Sequence, residues 1–372
     1  MERVDTLIVG AGLAGASVAW HLGGAVVLEQ GAAPGSEATA QNAGMVRRLS
    51  EDPIERALSF RSSVFFESED WGASRVTGAV LALAHDPWHL HDAVAVLRLR
   101  GARVERGSDL PVLQGARLAE VWTLPDERVA DGHTLVQGFL RGSEVRCGVQ
   151  VTRLVVESGR VAGVETAEGR IAADRVVLAA GAWSSVLAAT AGLKRSLVPI
   201  RRSLMVSESH PLATSDHPWV WLDDLGVYFR PEAGGWLLSG CDETVDRPPA
   251  GAGSQGPLEP MGRALALDKL SHIPALAGLA VRSGWTGLRT FAPDRRPLLG
   301  ADGEVDGLWW AAGLGGFGVT CAPAVGEVVA TWMQGGEVVD VHAAEVRPGR
   351  LLSSRMPIRA DGTLEGVRLA RV

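Results

Sequence analysis

The N-terminal segment places the strongest constraint on the fold. Gly10, Gly12 and Gly15 follow directly on a short apolar run and open an apolar stretch with a helical pattern. Residues 5–9 predict a buried strand, and residues 14–22 predict a helix. In this order the first glycine makes a tight turn, the second lets the backbone approach a pyrophosphate, and the third lets the helix pack close to the strand. The segment therefore predicts a βαβ unit that binds a dinucleotide at a helix N-terminus.

A second apolar run, residues 25–28, is followed by an acid, Glu29, which supports the prediction of a dinucleotide site. Glu29 follows Gly10 by 19 residues, close to the spacing of about 20 at which a carboxylate binds the ribose of a dinucleotide. An acid at this position favours a free 2′-hydroxyl and disfavours a 2′-phosphate. The dinucleotide-binding residues predicted from this unit are Gly10, Gly12, Leu13, Ala14, Gly15, Glu29 and Gln30.

A second glycine-rich turn lies near the other end of the chain. Residues 313–323, GLGGFGVTCAP, follow another apolar run, and residues 287–289, Gly-Leu-Arg, precede them. Together these segments indicate a flavin rather than a nicotinamide. A final helix is predicted near residues 322–334, with Thr320 as its N-cap. Backbone N–H groups at the start of this helix are expected to stabilise the negative charge that a reduced flavin gains.

Composition excludes several classes of protein. The chain has 372 residues, of which 46% are hydrophobic and 21% are charged, as expected for a globular enzyme of two domains. The net charge of −7 argues against nucleic acid as a partner, since phosphate contacts require a basic surface. The sequence contains no run of about 18 uncharged apolar residues, so no membrane span is expected.

The cysteines and the N-terminal sequence predict a cytoplasmic location. The three cysteines are widely spaced and match no disulfide or zinc pattern, which favours reduced thiols. The first predicted strand begins within about five residues of the start, which leaves no room for a signal peptide. His85, His89 and His91 are interpreted as surface residues, and no metal site is expected.

The remaining patterns predict helical and β-rich segments in turn. Residues 36–50 are expected to form a loop that runs along the cofactor, and residues 86–122 show helical patterns with charged faces. Residues 149–182 predict a β-meander, and residues 197–247 are rich in strand-forming residues. Residues 248–257 are rich in Pro, Gly and Ser, which predicts a surface loop.

Several segments resemble one enzyme superfamily. They are LIVGAGLAG (7–15), TAQNAGMVR (39–47), VVLAAGAW (176–183), GWTGLRTFAPDRRPLLG (284–300) and GLWWAAGLGGFGVTCAPAVGE (307–327). Together they are similar to the FAD-dependent D-amino-acid oxidase/glycine oxidase (DAO) superfamily, over nearly the whole chain. Within that superfamily the sequence most resembles bacterial D-amino-acid dehydrogenases of the D-arginine dehydrogenase type.

The resemblance implies a fold and a cofactor. The expected fold is α/β, with a discontinuous Rossmann-like FAD-binding domain and a second, α+β substrate domain built on an antiparallel sheet. FAD is expected to be bound non-covalently, with Cys321 as an ordinary buried thiol. The FAD-binding domain is expected to comprise residues 1–75, 130–190 and 285–372, and the substrate domain residues 76–129 and 191–284.

The resemblance also implies roles for individual residues. In the similar enzymes an arginine of the GLR motif pairs with the substrate carboxylate, a role that falls to Arg289. A tyrosine helps to hold the same carboxylate, a role that falls to Tyr228, and Arg202 or its neighbour Arg201 is expected near the substrate. The alternatives are an ion pair between Arg289 and Asp294 and a purely structural role for Tyr228. The further FAD contacts implied are Ala40, Gln41, Asn42, Ala43, Gly44, Val151, Ala180, Gly181, Trp183, Gly287, Arg289, Gly313, Leu314, Gly315, Gly316, Phe317, Gly318, Val319 and Thr320.

The sequence departs from the D-arginine type at the expected substrate site. Met45, Arg47 and Gly316 are expected to contact the substrate. The similar enzymes have a histidine where Met45 stands and a glutamate near the position of Gly78, which selects a basic side chain. Neither polar group is present in this chain. A substrate with an apolar or small side chain is therefore favoured.

The implied reaction is the oxidative deamination of a D-amino acid. The α-hydrogen passes as a hydride to the flavin N5, and the resulting imine is hydrolysed to a 2-oxo acid and ammonia. The alternatives are a glycine/sarcosine-type amine oxidase, a 2-hydroxy-acid dehydrogenase and a flavin-bearing subunit of a multi-subunit dehydrogenase. Oxygen and a quinone are both open as electron acceptors. A homo-oligomer and a complex with a partner subunit are both compatible with the sequence.

Overall fold

The computed structural model describes residues 2–86, 88 and 90–351, and its fold is mixed α/β, as the sequence predicts. The helices are α1 (Leu13–His21), α2 (Pro53–Ser68), α3 (His91–Leu99), α4 (Gly132–Phe139), α5 (Ser184–Thr190), α6 (Pro260–Leu270), α7 (Gly318–Met333) and α8 (Ala343–Val346). Short 3₁₀ turns span Pro111–Leu113, Gly181–Trp183, Pro274–Leu276 and Pro348–Leu351. In this part of the chain no helix has the length and apolar character needed to cross a membrane.

The strands alternate with these helices along the chain. They are β1 (Glu2–Val9), β2 (Val26–Glu29), β3 (Met45–Val46), β4 (Ser74–Val76), β5 (Ala79–Leu83), β6 (Glu105–Arg106), β7 (Glu120–Leu124), β8 (Arg128–Ala130), β9 (Glu144–Cys147), β10 (Val151–Glu157), β11 (Arg160–Thr166), β12 (Gly169–Leu178), β13 (Val198–Ser207), β14 (Trp219–Leu222), β15 (Val227–Glu232), β16 (Gly235–Ser239), β17 (Thr244–Val245), β18 (Gly256–Pro257), β19 (Val281–Phe291), β20 (Leu298–Ala301) and β21 (Leu308–Ala312).

An eight-stranded sheet carries the N-terminal glycine motif. Its strands follow the order β10-β11-β12-β1-β2-β9, with β21 paired to β12 and β20 paired to β21. The pairs β12–β1, β1–β2, β2–β9 and β12–β21 are parallel. Parallel strands are buried on both faces and are therefore nearly continuously apolar. This is why the apolar runs at residues 5–9 and 25–28 predict strands. Gly10 follows β1 at the carboxyl edge of this sheet.

Helices α1 and α7 pack against each other beside this sheet. The Ser17 hydroxyl of α1 donates a hydrogen bond to the Pro323 carbonyl of α7, at 3.4 Å. Gly326 of α7 lies so close to α1 that a Cβ atom there would be 2.1 Å from the Ser17 hydroxyl oxygen and 2.4 Å from the Ser17 carbonyl carbon. The contact brings both helices to the same region of the sheet, and each begins beside a glycine-rich turn.

A ten-stranded sheet forms the second layer of strands. Its order is β18-β19-β13-β16-β15-β14-β5-β7-β6, with β17 also paired to β13. All its pairs are antiparallel except β14–β5. A small antiparallel sheet, β3-β8-β4, joins residues 45–46 to residues 74–76 through the strand between them. The sheet expected for residues 76–129 and 191–284 is therefore present, and it is antiparallel apart from the β14–β5 pair.

The division of the chain into two domains stays a prediction, and the sheets bear on one of its boundaries. Strand β19 pairs with β13 along almost its whole length, from Val281 to Phe291. The expected boundary at residue 285 would cut this strand, so a boundary after residue 291 fits the sheets better. Residues 352–372, which the prediction assigned to the FAD-binding domain, lie outside the described residues.

The helical prediction for residues 86–122 was mostly wrong. Among the described residues of this segment the one α-helix is α3, His91–Leu99, and Pro111–Leu113 forms a short 3₁₀ turn. It ends next to Gly101, whose φ of +82° takes the chain out of the helix, and glycine adopts that conformation without steric cost. Further on, β7 pairs with β5. The apolar residues there serve strand pairing, a long-range interaction that local periodicity does not report.

The close approach of α1 and α7 yields a first prediction. Gly326→Ala should lower the free energy of unfolding by about 1–3 kcal/mol, because the added methyl meets backbone atoms that have no room to move. Urea unfolding measures the change. Gly303→Ala is the matched control, since a Cβ at Gly303 meets nothing within 4 Å. Equal unfolding free energies of the two variants would show that α1 and α7 can move apart to accept the methyl group without cost.

Candidate active site

A cavity of about 460 Å³ is lined by residues from both large sheets. Volumes of roughly 300–1,000 Å³ are typical of cofactor and ligand sites. Its wall includes the starts of α1 and α7 and the end of β19. The predicted cofactor residues in this wall are Gly10, Gly12, Leu13, Ala14, Glu29, Gln30, Asn42, Val151, Ala180, Gly181, Trp183, Arg289, Gly313, Leu314, Gly315, Gly316, Gly318 and Val319.

The other predicted cofactor residues lie outside the cavity wall. They are Gly15, Ala40, Gln41, Ala43, Gly44, Gly287, Phe317 and Thr320. Two of these glycines serve close packing. A Cβ at Gly15 would lie 2.0 Å from the Gly10 carbonyl oxygen, and one at Gly287 would lie 2.3 Å from the Gln41 side-chain oxygen. Ala40 is exposed.

The first glycine turn has the geometry of a phosphate-binding loop. Gly10 has φ +106°, and Gly12 is the extended residue directly before α1. The buried Glu29 carboxylate accepts hydrogen bonds from the backbone N–H groups of Ala11, at 2.9 Å, and Gly31, at 2.8 Å. The carboxylate therefore fixes the turn itself while it also lines the cavity. The Thr39 hydroxyl accepts from the Leu13 N–H at 3.1 Å.

Sequence reasoning missed part of the cavity wall. The missed residues include Ser36, Glu37, Ala38, Thr39, Gln150, Thr152, Pro248, Pro249, Ala250 and Ser254. The first four belong to residues 36–50, which the sequence placed along the cofactor without naming them. The last four belong to residues 248–257, which were predicted only as a surface loop. A Pro/Gly/Ser composition carries no signal for what such a loop covers.

Arg289 is a buried cation that backbone carbonyl groups surround. It is 8% exposed, and its guanidinium donates to the carbonyl oxygens of Leu288, at 3.1 Å, and Gln41. Within the described part of the chain it forms no ion pair, and Asp294 instead pairs with Arg350. Burial, with the nearby Arg202 charge, lowers the pKa of Arg289 to about 10. The group is still a cation at neutral pH, and its charge is available to an anion.

Tyr228 lies in an apolar cluster close to Arg289. The cluster contains Met45, Trp221 and Cys241, and the Tyr228 and Trp221 rings are 5.0 Å apart. Burial raises the pKa of the Tyr228 phenol, which therefore stays protonated. The positive charges of Arg202 and Arg289 act on the same phenol. The structure thus brings Met45, Tyr228 and the two arginines together.

The neighbouring residues Arg201 and Arg202 have separate surroundings. Arg202 is buried, donates to Glu243 at 2.9 Å and comes within 3.7 Å of the position a Cβ on Gly316 would take. Arg295 also pairs with Glu243. Arg201 pairs with acids on a different segment. Only Arg202 therefore belongs to the group around Tyr228.

Arg47 is held between two aromatic rings. Its guanidinium carbon lies 4.1 Å from the centroid of the Trp221 ring and 3.9 Å from that of Phe317, within the range of cation–π attraction. Burial lowers the pKa of Arg47. The carboxylates of Glu55 and Asp223 attract this guanidinium and oppose that shift, whereas Arg48 pairs directly with Glu127. Arg47 therefore adds positive charge next to Tyr228.

Thr320 was predicted to be the N-cap of α7, and this prediction was wrong. The helix begins earlier, at Gly318, with Phe317 as the preceding residue and no side-chain cap. Thr320 lies inside the first turn, where its hydroxyl donates to the Met45 carbonyl at 3.3 Å and accepts from the Arg47 N–H at 3.2 Å. These bonds fix residues 45–47 against α7. Gly318 and Val319, at the start of α7, line the cavity.

The comparisons with known proteins agree with this arrangement. The model of the DAO family, described as FAD dependent oxidoreductase, matches residues 5–332. The chain belongs to the DAO family of FAD-dependent oxidoreductases. The predicted superfamily, enzyme class and FAD cofactor are thereby confirmed.

Curated relatives match this DAO-family chain at modest identity. A 4-methylaminobutanoate oxidase (formaldehyde-forming) of Paenarthrobacter nicotinovorans is 28% identical over 90% of this chain and 44% of its own length. A glycine oxidase of Pseudomonas putida is 33% identical over 54% of this chain and 53% of its own. A D-amino acid dehydrogenase of Cereibacter sphaeroides is 28% identical over 89% of this chain and 76% of its own. The first two matches thus span about half the length of each relative.

Solved structures share the fold across almost the whole chain. An L-proline dehydrogenase from P. horikoshii superposes with a TM-score of 0.81 at 22% identity, over 94% of this chain and 98% of that one. A glycine oxidase from Geobacillus kaustophilus gives 0.77 at 23% identity, over 94% and 99%. At these identities the likeness establishes the fold alone.

The residues present fit FAD. Gly10 and Gly12 leave the start of α1 open to a pyrophosphate, and a Cβ at Gly12 would approach the Thr39 hydroxyl to 3.3 Å. Glu29, predicted to bind the ribose, lines the same cavity. The starts of α1 and α7 both lie in the cavity wall, so two positive helix ends are available to an anionic cofactor.

The Cys321 thiol is directed towards α2. Its sulfur lies 3.7 Å from the Ser59 hydroxyl and 3.9 Å from the Glu55 carbonyl oxygen. Burial raises the pKa of this thiol, so it is not a thiolate nucleophile at neutral pH. Cys321 is also absent from the cavity wall. These contacts agree with the expectation that it forms no covalent bond to the flavin.

The carboxyl group of Glu55, on α2 near Arg47, yields a pH prediction. Burial raises its pKa from 4.5 to about 7, although Arg47 and the Ser50 hydroxyl favour the charged form. Because the folded-state pKa exceeds the unfolded one, the wild type loses stability as pH rises from about 4.5 to about 7. Glu55→Gln should therefore exceed the wild type in unfolding free energy by about 1–3 kcal/mol at pH 8 and match it near pH 5.

Urea unfolding at both pH values measures this difference. Glu168→Gln, on an exposed turn, is the control and should match the wild type throughout. A Glu55→Gln variant that is less stable than the wild type at pH 8 would show that the carboxylate is charged and stabilising.

Proposed function

We propose that this chain oxidises the amine of a D-amino acid to an imine, which water converts to a 2-oxo acid. The observation that carries the proposal is the buried Arg289 guanidinium, which forms no ion pair within the described residues and lies in the wall of the FAD cavity near Tyr228. A buried charge is costly unless it is compensated, so this cation calls for an anionic ligand. A substrate carboxylate supplies that anion.

Arg289 and Tyr228 orient the substrate. A planar guanidinium binds a carboxylate through two parallel hydrogen bonds, which fixes both position and orientation. The protonated Tyr228 phenol adds a third donor to the same group. Bound FAD supplies the hydride acceptor. The chain's own contribution is to hold the α-carbon in one place, which removes most of the entropic cost of the encounter.

Charge and shape around the anchor support an apolar or small substrate side chain. Met45, Trp221 and Cys241 form an apolar surface beside Tyr228. The positive charge of Arg47 disfavours a basic side chain, because like charges repel strongly where water is excluded. Both features agree with the loss of the polar groups that select basic substrates in D-arginine dehydrogenases.

A glycine/sarcosine-type amine oxidation is the second candidate. Its support is the similarity to the Pseudomonas putida glycine oxidase and to the 4-methylaminobutanoate oxidase, whose name describes a methylated amine. The carboxylate anchor serves this reaction equally well. A 2-hydroxy-acid dehydrogenase and a flavin-bearing subunit that passes electrons to a partner chain are further alternatives.

The proposed function is tested by bleaching of the flavin absorbance without oxygen. The panel comprises D- and L-amino acids, glycine, sarcosine and 2-hydroxy acids. We expect bleaching by D-amino acids with apolar or small side chains, and at least about tenfold slower bleaching by D-arginine and D-lysine. Bleaching by glycine and sarcosine alone would move the chain to the second candidate. Bleaching by hydroxy acids or L-amino acids alone would refute the proposal.

The carboxylate anchor yields a separate prediction. Arg289→Ala should raise the KM for the best substrate by about 10- to 100-fold, as expected for loss of a charged hydrogen-bonded pair, while FAD stays bound. Arg289→Lys keeps the charge but not the two-point geometry, so its KM should lie between those of the wild type and Arg289→Ala. Steady-state kinetics and the flavin-to-protein absorbance ratio measure both effects. Unchanged kinetics in Arg289→Ala would remove this residue from the substrate site.

A further inference from the structure

Residues 246–255 form a strap across the FAD cavity. The strap leaves the ten-stranded sheet at β17, beside β13, and returns to it at β18, beside β19. Between these points Pro248, Pro249, Ala250 and Ser254 line the cavity, whose wall also includes the glycine turn after β1 of the eight-stranded sheet. One sheet therefore supplies a cover for a site that begins on the other.

Arg201 ties both ends of the strap. Its guanidinium pairs with Asp246, the first residue of the strap, and with Glu259, which lies just beyond β18. The Asp246 N–H also donates to the Pro199 carbonyl at 3.0 Å. The base of the strap is thus fixed to β13 independently of its tip.

The far part of the strap is held by three side chains from the opposite side of the cavity. The half-buried Glu37 carboxylate accepts from the Gly253 N–H at 2.6 Å, from the Ser254 N–H at 3.0 Å and from the Ser254 hydroxyl. The Trp183 indole N–H donates to the Pro249 carbonyl at 2.8 Å, and Gln150 donates to the Ala250 carbonyl. Glu37, Gln150 and Trp183 themselves line the cavity.

We infer that the strap is a cofactor-retaining wall and that Glu37 is the residue that holds it closed over bound FAD. Glu37 makes three of the five tip contacts and is the only one of the three side chains with a charge. Hydrogen bonds to a charged group are roughly twice as strong as neutral ones. Glu37 acts through the strap, so it is a positioning residue. FAD cannot leave past Pro249 and Ala250 until these bonds open.

The strap also has the composition of a segment that closes after the cofactor enters. Pro248 and Pro249 limit the conformations of one arm, while Gly251 and Gly253 leave the tip free to bend. Gly253 has φ +97°, a conformation that directs its N–H to Glu37 and that other residues adopt only with strain. The strap thus combines a stiff arm with a tip that can bend, and the Glu37 carboxylate holds that tip closed.

The test measures FAD release from the loaded protein. Holoprotein is diluted and filtered at intervals, and flavin in the filtrate gives the release rate. Glu37→Ala should release FAD about ten times faster than the wild type, as expected if the charged hydrogen bonds contribute about 1.4 kcal/mol. Ser254→Ala, which removes only the hydroxyl donor, should show a smaller increase. Glu327→Ala is the control, because that carboxylate pairs with Arg61 and does not line the cavity.

Thermal unfolding of the FAD-free and FAD-loaded forms separates retention from folding. We expect Glu37→Ala to leave the midpoint of the FAD-free protein unchanged and to reduce the rise that FAD produces. Unchanged release in a folded Glu37→Ala variant would overturn the inference. An equal fall in the thermal midpoint of the FAD-free and FAD-loaded forms would also overturn the inference, because it would show that the contacts are purely structural. Neither outcome touches the proposed amine oxidation.

Discussion

The close contact between α1 and the elements around it is the constraint on which the rest of the structure depends. Gly15 allows α1 to lie against the Gly10 carbonyl, and Gly326 allows α7 to lie against Ser17. Side chains at either glycine would push the helices away from the sheet or from each other. Because both contacts hold, the positive ends of two helices meet one cavity, although about 300 residues separate them in the chain. An anionic dinucleotide cofactor is the ligand such an arrangement favours.

The buried arginines fall into two groups, those paired with a carboxylate of the protein and those that remain available to a ligand. Arg202 and Arg295 share Glu243, and Arg48 pairs with Glu127, so these cations are compensated within the protein. In the described part of the chain Arg289 forms no ion pair, and Arg47 has the Glu55 carboxyl near it but lies against two rings. One is bound by carbonyl oxygens and the other by two aromatic rings, which stabilise a cation without cancelling its charge. The site is therefore electropositive towards a small anion, which is what an amino-acid carboxylate requires.

The glycine turns, Glu29 and Arg289 could be predicted from the sequence because each belongs to a motif whose chemistry is local. The strap could not, since its function depends on what lies across the cavity. The Gly-Leu-Arg segment, residues 287–289, is a second case in which a long-range contact decides where residues belong. The sequence assigned residues 285–291 to the nucleotide domain because the motif accompanies a flavin, whereas pairing with β13 places them in the other sheet. Similarly, Thr320 has a residue type that caps helices, yet long-range bonds to Met45 and Arg47 decide its role.

Strand β13 connects the two halves of the site through a single pair of residues. Side chains alternate along a strand, so Arg201 and Arg202 point to opposite faces. Arg201 ties the strap at Asp246 and Glu259, and Arg202 lies with Glu243 beside Gly316 and Tyr228. Across the pairing, β13 also holds β19, which carries Arg289. A shift of β13 by one residue would turn each arginine to the other face of the sheet and break both arrangements at once. Cofactor retention and substrate anchoring are therefore fixed by the same strand register, which explains how a cavity built between two sheets keeps one geometry.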